Sequence, residues 1–108
     1  MISWEDFEKV DMRTATIVDV EPFPRARVPA WKLTLDFGPL GLRRSSARIT
    51  DLYSREELIN RQVIAVVNFP PKNIAGFQSE CLVLGVLEKR GVVLLQPERK
   101  VENRSKIG

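Results

Sequence analysis

Hydrophobic and polar residues alternate along most of this chain with the two-residue period of half-buried strands. The cleanest stretch is Trp31 to Phe37. Trp31, Leu33, Leu35 and Phe37 fall on one side, and Lys32, Thr34 and Asp36 on the other. Met12 to Val20, rich in Thr, Ile and Val, predicts an earlier strand. Gln62 to Val67 is an almost continuous Val/Ile/Ala run and predicts a central buried strand. Glu80 to Leu87 and Val92 to Gln96 predict two more strands, joined by a turn in which Gly91 can adopt φ > 0. Leu42 to Thr50 predicts a polar strand. With Arg43, Arg44, Ser45, Ser46 and Arg48 it must present a hydrophilic face, either to solvent or to a ligand.

Two segments break the strand period. Ser3 to Val10 predicts a short helix, with Ser3 and Asp6 as a capping pair and Trp4, Phe7 and Val10 as one apolar stripe. Such a short helix is unstable alone, so its stripe must be buried on the body of the protein or on a second subunit. Asp51 to Asn60, with Ser54 three residues before Glu57, predicts a second short helix. Proline marks the loops: Pro22, Pro24 and Pro29 between the first two strands, and Pro70-Pro71 in the loop from Asn68 to Phe77. Three strands, a helix and two strands make a mainly β fold, a five-stranded OB-type Greek-key barrel. Residues 1–108 form one domain, with residues 1–10 and 97–108 as extensions.

Composition narrows the chemistry. The 108 residues hold one cysteine and no histidine. Histidine is the commonest general base and metal ligand, so its absence removes most nucleophile pairs and metal sites. Cys81 can form no intrachain disulfide and reads as a small core residue. Gly-rich phosphate loops and nucleophile elbows are missing too. A binding module rather than an enzyme is expected, with no cofactor and no metal. Seventeen basic residues against fourteen acidic ones give only +3, so distribution matters more than total charge. No apolar run approaches the roughly 20 residues of a membrane helix, so no membrane insertion is expected, and a cytoplasmic location.

The local motifs resemble a known family. Asp11-Met12-Arg13-Thr14-Ala15-Thr16-Ile17, Phe23-Pro24, Asp36-Phe37-Gly38 and Leu58-Ile59-Asn60-Arg61-Gln62-Val63 are similar to segments of the tRNA-binding-domain family, an OB-fold module also appended to some aminoacyl-tRNA synthetases. Val66-Val67-Asn68-Phe69-Pro70-Pro71, Ile74-Ala75-Gly76-Phe77, Ser79-Glu80 and Leu94-Leu95-Gln96-Pro97 resemble its export-associated chaperone branch. The resemblance covers nearly the whole chain. It implies a homodimer whose terminal extensions cross between subunits, partners among unfolded or pre-secretory polypeptides and the protein-export motor, and no nucleotide or metal. tRNA-binding relatives carry a serine and a methionine that contact tRNA. Ser79 matches the serine, but Leu82 stands at the methionine position, and Glu80 adds a charge that repels phosphate.

Three sets of candidate residues follow. Phe69, Pro70, Pro71, Ile74 and Phe77 are a dense apolar loop suited to unfolded polypeptide. Lys32, Arg43, Arg44 and Arg48, with Ser79 and Leu82, would hold tRNA on the face of the second and third strands, with Phe77 as the best aromatic for stacking. Trp4, Phe7, Val10, Val101 and Ile107 are more apolar surface than a small barrel needs and are candidates for the dimer interface. Each arginine could equally be an ordinary solvated group, and the apolar loop could fold onto its own barrel.

Overall fold

A computed structural model describes residues 1–108. Its elements in order are α1 (Trp4–Glu8), β1 (Met12–Pro22), β2 (Trp31–Asp36), a single 3-10 turn at Gly38–Leu40, β3 (Leu42–Ala47), α2 (Arg55–Leu58), β4 (Gln62–Val66), β5 (Lys72–Ile74), β6 (Phe77–Ser79), β7 (Leu82–Val83), β8 (Gly85–Glu88) and β9 (Gly91–Leu94). Five strands pair antiparallel in the order β3-β2-β1-β4-β7. The two ends of this sheet nearly meet. Glu80 N–H donates to Arg44 O at 2.8 Å, Ser46 N–H to Ser79 Oγ at 3.0 Å, and Ser45 Oγ to Cys81 O at 2.8 Å. The result is the expected mainly β, OB-like barrel with one short helix before β1 and one between β3 and β4.

The alternation read from the sequence sets the core. Leu33, Leu35 and Phe37 are fully buried, together with Ile17, Leu58 and Val63. Trp31 is half-buried against this core, and its indole N–H donates to Tyr53 O at 3.0 Å. Strand β1 is shared between the two halves of the barrel. Residues 12–16 pair with β4, and residues 16–22 pair with β2. A bulge between Ile17 and Asp19 leaves Val18 unpaired and bends the strand, which allows closure.

Two features depart from the sequence reading. The loop after β4 is itself a hairpin, β5–β6, turned by Ala75 (φ 48°) and Gly76 (φ 85°). Positive φ at both central residues is the requirement of a type I′ turn. The last predicted strand pair is split. β7 adds to β4, Leu84 N–H continues that pairing to Ile64 O at 2.9 Å, and β8–β9 then leave as a separate hairpin.

The C-terminal segment has a definite place. Residues 12–15 of β1 extend beyond β2, leaving one backbone edge open. Residues 104–107 cover that edge. Thr14 N–H donates to Ser105 O at 3.0 Å, Arg104 N–H to Thr14 O at 2.7 Å and Ile107 N–H to Met12 O at 3.0 Å. The buried Thr14 hydroxyl donates to Glu102 O at 2.8 Å and accepts from Ser105 N–H at 3.0 Å, so no polar atom is stranded.

Candidate binding surface

Cross-strand pairs bring the candidate residues onto the outer face of β2 and β3. Thr34 lies opposite Arg44, and Lys32 opposite Ser46. Above this face the loop after β1 and the β5–β6 hairpin meet. Phe23, Ala30 and Phe77 form a second buried cluster, with Ile74 packed against it. The Phe23 and Phe77 rings meet edge to face, 5.4 Å between centroids. Lys32 Nζ lies 5.0 Å from the Phe23 centroid and 5.6 Å from that of Phe77, and Arg44 Cζ lies 4.6 Å from the Phe77 centroid. The aromatic faces are thus occupied by the chain's own cations, and Phe77 is only 7% exposed. It braces the surface from beneath and offers no free ring to a base.

Much of the charge on this face is compensated. Arg44 pairs with Glu21 at 3.5 Å, and the Glu80 carboxylate accepts the Arg44 backbone N–H at 2.9 Å. Lys32 and Arg44 are therefore matched by two carboxylates. Ser79 uses its hydroxyl oxygen to accept from Ser46 N–H, so it ties β6 to β3. Arg48 follows β3 and is exposed. Arg43 does not share this face. It points with Ser45 toward the barrel side, where its guanidinium donates to Val67 O at 3.0 Å and stands 5.9 Å from the Phe37 centroid. Alternation along β3 separates Arg43 from Arg44, so the run of arginines is two surfaces rather than one.

Exposed apolar groups occur in the segment after β4 and on β7. Phe69 is 55% exposed, next to exposed Pro70 and Pro71, and Leu82 is 48% exposed. At the N-terminus, Ser3 and Asp6 form the expected reciprocal cap, with both bonds at 3.1 Å. Helix α1 buries none of its residues on the barrel. Trp4 is 85% exposed, Val10 lies past the helix and is exposed, and Phe7 is half-buried. Val101 is exposed, whereas Ile107 is half-buried along β1.

Phe23 belongs to the motifs that resemble the family but not to the candidate binding residues, and Glu21 to neither. A phenylalanine between Pro22 and Pro24 was the available signal. Glu21 carried none, because its pairing with Arg44 depends on the β1–β2–β3 register. Cys81 is buried, and loss of solvent pushes its thiol up to about 12, opposed by Arg43 and the Ser45 hydroxyl and reinforced by Glu80. No three His, Cys, Asp or Glu side chains lie close enough to hold a metal ion. No helix is long and apolar enough to cross a membrane.

This architecture has close counterparts. Over its full length the chain is similar to the chaperone CsaA of Bacillus anthracis, with 53% identity, TM-score 0.94 and 99% of that chain covered. The CsaA chaperone protein of Picrophilus torridus is 50% identical, with TM-score 0.96 and both chains wholly covered. A methionine–tRNA ligase of Thermococcus onnurineus is 32% identical over 106 residues, 98% of this chain but only 14% of the enzyme. The chain thus spans about one seventh of the length of the curated relatives it matches. The family described as "Putative tRNA binding domain" matches residues 12–106. With that match running from the first residue of β1 into the segment that covers its open edge, the chain belongs to the tRNA-binding-domain family.

Proposed function

We propose that this protein is a non-catalytic, chaperone-like module that binds unfolded or pre-secretory polypeptides as a homodimer in the cytoplasm and passes them to the export motor. The observation that carries this reading is the charge balance on the β2–β3 face, where Lys32 and Arg44 are offset by Glu21 and Glu80. A surface on which Lys32 and Arg44 are offset, leaving only Arg48 uncompensated, gains little from phosphates, while exposed Phe69, Pro70, Pro71 and Leu82 elsewhere on the barrel suit the apolar parts of an unfolded chain. Full-length likeness to two CsaA chaperones supports the same choice. The homodimer rests on α1, a five-residue helix that fully buries none of its residues on its own barrel and exposes Trp4.

The second reading is tRNA binding, supported by the family match and by Lys32, Arg44 and exposed Arg48 on one side of the barrel. Salt dependence separates the two. Affinities for tRNA and for a reduced, unfolded polypeptide are measured from low to high salt, for the native chain and for Arg44→Ala/Arg48→Ala and Phe69→Ser. On the chaperone reading polypeptide affinity changes little with salt, falls with Phe69→Ser and survives loss of the arginines. A log–log salt slope near −0.7 per phosphate for tRNA, abolished by the arginine pair, with no polypeptide binding below about millimolar, overturns it.

A further inference from the structure

Arg43, turned away from the β2–β3 face, reaches the end of the barrel where β1 begins and β4 ends. There it lines a cavity of about 450 Å³ together with Arg13 and Arg104. Only one carboxylate faces them. Asp11 accepts from Arg13 Nε at 2.7 Å, and neither Arg43 nor Arg104 has a carboxylate within 4.0 Å. Three guanidiniums against one carboxylate leave a local charge of about +2.

The groups are held in place from behind. Arg13 Nη1 donates to Arg104 O at 3.2 Å, and Arg43 Nη1 to Val67 O at 3.0 Å, which leaves the other guanidinium N–H groups of Arg43 without protein acceptors. Arg104 sits at φ 74°, a left-handed conformation that ordinary side chains avoid, and is fixed there by its N–H bond to Thr14 O. The Asn68 amide is anchored at both its oxygen and its nitrogen. It accepts from Asp11 N–H at 3.0 Å and donates to Lys9 O at 2.7 Å, so it is a rigid wall. Leu40, 41% exposed, and buried Val67 supply apolar lining.

We propose that this cavity binds a phosphoryl dianion, as a phosphate ester of a small molecule. A phosphate monoester carries about −1.5 to −2 at neutral pH, which matches the local excess, whereas one carboxylate would leave a cation unmatched. Guanidinium forks suit phosphate oxygens. The cavity lies within the range of small-molecule sites and has room beyond the phosphate, bordered by Leu40. The site is distinct from the β2–β3 face and stands whether that face takes polypeptide or tRNA.

Calorimetric titration of the full-length chain with phenyl phosphate and with inorganic phosphate tests it. Saturable 1:1 binding of phenyl phosphate, several-fold tighter than inorganic phosphate, is expected; equal affinity assigns the site to free phosphate. Arg104→Asn keeps a residue at ease with positive φ and removes the charge, and Arg43→Gln keeps a donor for Val67 O. Each should weaken binding about tenfold, the loss of a charge-assisted bond, while Arg99→Gln, exposed in the C-terminal segment, leaves it unchanged. Thermal melts confirm that the variants fold. No saturation by either probe below about 10 mM, or equal affinity in all variants, overturns the proposal. So does loss of tRNA binding in Arg43→Gln with no phosphate binding by the native chain, which would make these arginines nucleic-acid contacts.

Discussion

Replacing Phe77 by alanine tests whether this ring braces the binding surface or forms part of it. The side chain is 7% exposed and belongs to a small cluster with Phe23 and Ala30, so its removal opens space that these two residues and two loops must fill. A fully enclosed phenylalanine costs about 3–5 kcal/mol on truncation, and a satellite cluster beneath loops belongs at the lower end, near 3 kcal/mol. That figure includes the edge-to-face contact with Phe23, about 0.5–1.5 kcal/mol, and the Lys32 and Arg44 cations, about 0.5–1 kcal/mol each where exposed. For a domain of this size 1 kcal/mol corresponds to roughly 4–8 °C, so the melting temperature should fall by about 12–24 °C. Urea unfolding of Phe77→Ala, Phe23→Ala and the double variant is the assay. The double variant should lose less than the sum of the singles, by about 0.5–1.5 kcal/mol. A loss below about 1 kcal/mol for Phe77→Ala, with no coupling to Phe23 and strongly reduced ligand binding, would refute the reasoning and make Phe77 a contact residue.

Two further predictions concern ionisable groups. With the Cys81 thiol held near 12 by burial, against an ordinary value of 9.0, its thiolate fraction at pH 8 falls about a thousandfold, so alkylation by iodoacetamide should be slow in native buffer and fast in urea. Rapid native alkylation would show that the β3–β7 closure opens readily. Glu57 is held below its ordinary 4.5, first by the Ser54 backbone N–H and then by the Ser54 hydroxyl. Its contribution to stability is therefore present above pH 4.5 and lost as pH falls through the lower folded value. Ser54→Ala removes the hydroxyl cap of α2, costs about 1 kcal/mol near neutral pH and weakens this acid dependence only by the hydroxyl's share, because the backbone N–H bond to Glu57 remains; complete loss of the acid limb in urea melts would count against it.

The barrel was legible because its strands bury one face and its turns need particular residues. Leu33, Leu35 and Phe37 point inward because a strand reverses its side chains at every step, and Ser3 and Ser54 cap helices because exposed N–H groups there need an acceptor. These are local rules, and local spacing carries them. The β5–β6 hairpin is not legible in the sequence, because its type I′ turn uses Ala75, a residue with no intrinsic liking for positive φ.

What the chain does with its charges was decided elsewhere. Arg43 and Arg44 are adjacent in sequence, yet one closes the barrel end near Asp11 and Arg104 and the other lies over Phe77. The pleat separates them, but which neighbour each meets depends on strand register and closure, through contacts between residues dozens of positions apart. The pairing of Arg44 with Glu21 and the tail over the open edge of β1 have the same origin. The sequence by itself determined an OB-type barrel and the places of its strands, caps and core residues. Only the tertiary structure showed that its basic residues divide between a largely compensated face and a separate arginine-lined cavity, because charge balance is a property of distances that no single segment contains.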